Sequence, residues 1–141
     1  MTSPVVGVGC VVFKGEAVLL VRRAHPPRAG SWSLPGGKQQ WGETLAEAAL
    51  RELMEETAIT ADLLGIAEVV DLIDRDEAGL VRHHYTVVDY AARWLSGKAV
   101  AGDDAAEVIW ALPDDFERLE LTPLALQVIA KARYIHRMIV R

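Results

Sequence analysis

The chain has 141 residues, 51% hydrophobic and 25% charged, with a formal net charge of −5. That length fits one domain, residues 1–141, with a core of its own. The acidic balance excludes the basic footprint of a nucleic-acid binder, and no apolar run approaches the ~18 residues that would span a bilayer.

The opening MTSPVV lacks the basic-then-apolar pattern of a signal peptide, so a cytoplasmic, reducing setting is expected. Val5 to Phe13 is β-branched and apolar and predicts a strand; Ala17 to Arg23 predicts its hairpin partner. Cys10, the only cysteine, cannot close an internal disulfide and reads as a small buried hydrophobe. Ala24 to Ser31, with two prolines and a glycine, predicts a loop. Trp32 to Leu34 is a short extended piece that stops at a Pro35-Gly36-Gly37 turn. Thr44 and Glu47 form a capping box ahead of an Ala/Leu-rich run, which predicts a helix to near Thr57. Ala61 to Ile73 predicts a strand or a bent pair, Asp74 to Gly79 a charged turn, and Leu80 to Leu95 a long strand. After a loop over Ser96 to Ala106 come a short strand, Glu107 to Leu112, and one helical turn at Pro113 to Phe116. Thr122 caps a last helix, with Pro123 at its first position, running to about Met138. Strands with two helices place the chain in the α/β class, with a mixed sheet packed between helices.

Chemistry concentrates in Gly37 to Ile59, GKQQWGETLAEAALRELMEETAI. On a helical wheel Glu52, Glu55 and Glu56 share an arc of about 100°, while Ala46, Ala49, Leu50, Leu53 and Met54 fall on another that should face the core. A carboxylate cluster of this kind is costly unless a hard divalent cation faces it. Gly37, Glu43, Arg51, Glu52, Glu55 and Glu56 at their fixed offsets have a chance expectation of about 10⁻⁷ per window at ordinary residue frequencies.

Those residues follow G-x5-E-x7-R-E-U-x-E-E-x-G-U, where U is a bulky aliphatic. The pattern resembles the signature of the Nudix hydrolases, and WSLPGG upstream and Glu107-x-x-Trp110 downstream resemble the same family. One departure is Ala58, where the family carries a glycine suited to positive φ after the helix; alanine there costs about 1 kcal/mol.

The resemblance implies a Nudix-type α/β/α sandwich and hydrolysis of the diphosphate in a nucleoside diphosphate linked to another group. It implies Mg²⁺ or Mn²⁺ held by Glu55 and Glu56, with Glu52 as a further ligand or the base and the Gly37 carbonyl as another donor. Arg51 would orient the glutamates, and Glu43 would brace the loop. The base could also be a later loop acid, Asp103, Asp104 or Glu107. Arg23, Arg28, Gly36 and Gly37 are expected at the substrate. Trp32 either stacks a base or packs in the core, Trp41 is exposed or ligand-facing, and Trp94 and Trp110 are expected in the core. His83 and His84, adjacent on a strand, point oppositely and are expected in structural roles.

The layout resembles small bacterial ADP-ribose or nucleotide-sugar pyrophosphatases, and the chain has no asparagine to read an oxidised guanine. ADP-ribose, giving AMP and ribose 5-phosphate, is therefore the first substrate to consider. A nucleoside triphosphate pyrophosphatase clearing damaged nucleotides is the alternative, and a catalytically silent nucleotide sensor is a third reading. A homodimer through the N-terminal strand or the last helix is a further expectation.

Overall fold

Strand β1 (Val5–Lys14) is apolar at successive positions because both of its faces are covered. The computed structural model describes residues 3–26 and 28–140. Val11 and Phe13 point to one core cluster; Val8, Cys10 and Val12 point to the other. Strand β2 (Ala17–Arg23) divides in the same way, with Val18 and Leu20 on one side and Leu19 on the other.

The remaining elements are β3 (Trp32–Ser33), β4 (Gly36–Lys38), α1 (Leu45–Thr57), β5 (Thr60–Arg75), β6 (Val81–Ser96), β7 (Ala105–Ala111), a 3₁₀ turn at Pro113–Asp115, and α2 (Pro123–Ile139). The strands form one mixed sheet in the order β3-β2-β1-β6-β5, with β4 paired to β1 and β7 to β2. β1 runs parallel to β6 from Val5↔Tyr85 to Phe13↔Arg93. Along its other edge β1 forks: Gly7, Val8 and Gly9 pair with β4, and Phe13 and Lys14 pair with β2. Helix α1 covers one face through Ala48, Ala49 and Leu53, and α2 the other through Val128, Ile129 and Ala132. This is the expected α/β/α sandwich.

Several expectations need correction. Gly36 and Gly37 are a strand, not a turn. Gly36 lies so close to the Val8 carbonyl and the Gly9 Cα that no Cβ fits, so glycine is required here by close approach. The wheel is also rotated: Leu50 and Met54 are 38% and 45% exposed, while Glu56 and Thr57 are buried. Trp94 and Trp110 are half-buried beside the α1-side cluster, with the Lys14 ammonium 4.3 Å and 5.6 Å from their ring centroids. Strand β1 sits in mid-sheet with most of its length covered on both faces, and Val5 at its start is exposed. Helix α2 keeps Leu126, Tyr134 and Met138 exposed.

The expectations for Cys10 and His83 hold. Cys10 is buried, its thiol pushed up to about 12 by burial. His83 pairs with Asp74 at 3.2 Å. Among the described residues no helix is long and apolar enough to cross a membrane.

Helix α1 is closed as its sequence predicts. The Thr44 hydroxyl accepts from the Glu47 N–H at 3.1 Å, and the Glu47 carboxylate accepts from the Thr44 N–H at 2.9 Å. At the other end Ala58 adopts φ 61°, the left-handed cap in which a Cβ is strained. Ala58→Gly should therefore raise stability by about 1 kcal/mol, read as a rise in Tm of about 2–4 °C; an unchanged or lower Tm would show the cap to be unstrained.

Candidate active site

The site forms where α1 passes over β4. The Gly36 N–H donates to Glu56 Oε1 at 2.7 Å, drawing that carboxylate beneath the helix. Gly37 lies directly against the Glu52 carboxylate, in the space a side chain would fill. The absent side chains at 36 and 37 thus seat two glutamates on the strand.

Arg51 organises the rest. Its Nε donates to Glu43 Oε2 at 2.6 Å, and Nη1 donates to Glu52 Oε1 at 2.7 Å and Glu55 Oε1 at 2.9 Å. Nη2 donates to the Lys38 carbonyl at 2.9 Å and to Glu43 Oε1 at 3.0 Å. One planar fork thereby ties loop, strand and helix together, which a lysine could not do. Glu43 also accepts the Gln40 N–H at 2.8 Å. Hydrogen bonds from Arg51 and Gln40 hold the Glu43 carboxyl below its ordinary range, and those carboxylates in turn push the guanidinium up.

Glu56 behaves differently. It is 8% exposed, and burial, with repulsion from Glu52 and Asp104, pushes its carboxyl up to about 7 against the pull of Gly36 and Arg23. Burial raises Glu52 as well, opposed by Arg51.

The loop before β7 supplies two more acids. The Val100 and Gly102 N–H groups donate to the Thr57 and Glu56 carbonyls at 2.9 Å and 3.0 Å, closing the end of α1. This docking sets Asp103, at φ 48°, beside Glu55, and Asp104 beside Glu56. Asp103 is raised by desolvation and by Glu55. Glu107 instead forms an ion pair with Arg22, away from the Glu56 pocket.

That pocket, a cavity of about 280 Å³, is lined by Arg23, His25, Ser33, Gly36, Glu56 and Asp104 among others. Arg23, Ser33, Leu34 and Gly36 also line a shallower groove that extends past Gly37 to Tyr85, Asp89 and Leu124. Arg28 is exposed in its loop and lines neither. Trp32 packs on the α2-side core, and Trp41 is fully exposed. Tyr85 and Asp89 were not singled out in the sequence. The only signal was a lone acid inside the apolar run VVDYAA.

The donor chemistry fits a hard divalent cation: Glu52, Glu55 and Glu56 offer carboxylate oxygens, with surplus negative charge around them. Among the described residues no three acidic, histidine or cysteine side chains stand close enough to hold an ion as placed; Arg51 takes oxygens of Glu43, Glu52 and Glu55.

A NUDIX domain family model matches residues 3–132. An ADP-ribose pyrophosphatase of Methanocaldococcus jannaschii is 36% identical over 104 residues, 74% of this chain and 59% of that protein, so the chain spans under two thirds of its length. A putative 8-oxo-dGTP diphosphatase 2 of Mycobacterium tuberculosis is 35% identical over 127 residues, covering 87% and 83%. A MutT NUDIX hydrolase from Burkholderia pseudomallei superimposes with a TM-score of 0.79 at 30% identity, covering 92% and 98%. The NUDIX domain of Shewanella oneidensis NrtR, complexed with ADP ribose, gives 0.77 at 27% identity, covering 95% and 89%. The chain belongs to the NUDIX family.

The raised Glu56 carboxyl has a consequence for stability. The folded protein holds this proton more tightly than the unfolded chain, whose value is near 4.5. The stability it contributes is present below that value and is lost as pH rises through about 7. In chelator, urea titrations should show the wild type losing on the order of 2–3 kcal/mol between pH 5 and 8. Glu56→Gln should flatten that slope and be the more stable protein at pH 8; an equal slope in both proteins would refute the burial argument.

Proposed function

We propose that this protein hydrolyses the diphosphate of a nucleoside diphosphate joined to a second group, with ADP-ribose the first substrate, to AMP and ribose 5-phosphate. The observation that carries this reading is the buried Glu56 beside Glu52 and Glu55, facing a pocket that also holds Arg23. Support for ADP-ribose comes from the name of the archaeal relative and from the ADP-ribose-bound domain that shares the fold.

Glu52, Glu55 and Glu56, with the Gly37 carbonyl, would hold Mg²⁺ or Mn²⁺. Such an ion, when bound, neutralises phosphate charge and acidifies water. Arg51 keeps the glutamates oriented through its fork. Arg23 faces the phosphate oxygens and offsets their charge. We place the general base at Asp103, which the loop sets against Glu55, rather than at Glu107, which is engaged by Arg22. Asp103 takes a proton from the attacking water as its oxygen bonds to one phosphorus. The bond from that phosphorus to the bridging oxygen breaks, and the departing phosphate carries the electron pair.

The test is a screen of ADP-ribose, nucleotide sugars and nucleoside triphosphates with Mg²⁺, with products resolved by chromatography. AMP plus ribose 5-phosphate is expected. A nucleoside monophosphate plus pyrophosphate, from damaged triphosphates alone, would favour the second reading, which the mycobacterial relative's name supports. Glu56→Gln should lower kcat on the order of 10³-fold; turnover at the wild-type rate would refute the metal-site assignment. Asp103→Asn should cost about 10²–10⁴-fold and Glu107→Gln only a few-fold, and the reverse order would move the base to Glu107.

A further inference from the structure

The groove leading away from Glu56 ends at a carboxylate whose placement no contact within the chain explains. Asp89 lies in the middle of β6, 6% exposed, between Val88 and Tyr90. Among the described residues nothing hydrogen-bonds its carboxylate. Glu68, of the same sign, raises its carboxyl further. Its Oδ1 lies against Gly9 of the neighbouring strand, where any side chain would overlap it. A desolvated carboxylate without a partner is destabilising, so a partner from outside the chain is the natural reason to retain it.

The surroundings say what that partner is. Asp89 lines the same groove as Arg23, Gly36 and Gly37, which adjoin the glutamates, and as Leu72, Tyr85 and Leu124. Apolar and aromatic walls around a buried carboxylate match a nucleobase, which presents two apolar faces and an edge that carries N–H donors. Burial pushes the Asp89 carboxyl up to about 6, so at neutral pH it is mainly ionised and accepts only.

We propose that Asp89 is a specificity-determining residue that accepts a hydrogen bond from the exocyclic amino group of adenine in the substrate. This rests on the proposed reaction for the position of the phosphates, and it extends that reading by naming the residue that selects the base. With the diphosphate at Arg23 and Gly36, the nucleoside lies along the groove and its base meets Asp89 between Tyr85 and Leu124. A base without the amino group would leave the carboxylate buried and unpaired, the arrangement that gives polar sites their selectivity.

Binding of the product nucleotide tests this without turnover. AMP and purine-riboside 5′-monophosphate differ by that single amino group, and calorimetry gives their affinities for wild type, Asp89→Asn and Asp89→Ala. The wild type should bind AMP on the order of tenfold more tightly; Asp89→Ala should lose most of that preference, and Asp89→Asn, whose amide oxygen still accepts, should keep part of it. The ratio is internal to each protein, so a general loss of stability cancels from it. Equal affinities in the wild type, no binding of either nucleotide, or an undiminished preference in Asp89→Ala would overturn the assignment. If the preference holds and depends on Asp89 while ADP-ribose is not cleaved, the proposed reaction fails and the base-reading role stands.

Discussion

Two backbone positions without side chains allow a helix and a strand to touch. Gly36 gives its N–H to Glu56, and Gly37 leaves room for the Glu52 carboxylate. From that contact the rest of the site follows. Helix α1 must turn its glutamate edge toward the sheet, which carries Leu50 and Met54 outward and buries Thr57. The same approach brings Arg51 onto the Lys38 carbonyl and Glu43. A side chain at either glycine would part the layers and separate acids that act together.

The electrostatics are deliberately unbalanced. Glu43, Glu52, Glu55, Glu56, Asp103 and Asp104 gather around Arg51 and Arg23. Arg51 settles the exposed side of this cluster through charge-assisted bonds. Glu56 stays poorly compensated, and its raised carboxyl records the deficit. A site built this way suits a cation, because its own chain leaves the charge unmet.

Much of this was legible in the sequence, because local chemistry dictates it. Thr44 and Glu47 announce the start of α1, Thr122 and Pro123 that of α2, and the β-branched runs announce the strands. The glutamate spacing pointed to the candidate site. What the sequence concealed depends on close packing between distant segments. Gly36 and Gly37 look like a turn until the Val8 backbone is laid beside them. The wheel can group residues but cannot set which group faces inward when one hydrogen bond from a strand pulls a charged residue under. Asp103 and Asp104 join the glutamates, and Glu107 does not, because the loop before β7 docks on the end of α1. Asp89 gave only the weak hint of an acid among valines.

The long parallel seam between β1 and β6 carries a cost during biosynthesis. Val5 pairs with Tyr85, 80 positions further along the chain. Its closure must overcome the entropy of a large loop, and parallel, non-local pairings form slowly. While a nascent chain emerges, the hairpin with β2 and the short pairing with β4 can assemble early, yet one edge of an apolar strand stays open until β6 arrives. An incomplete chain halted before Val81 presents that edge to its neighbours, an invitation to misassembly that the finished sheet withdraws.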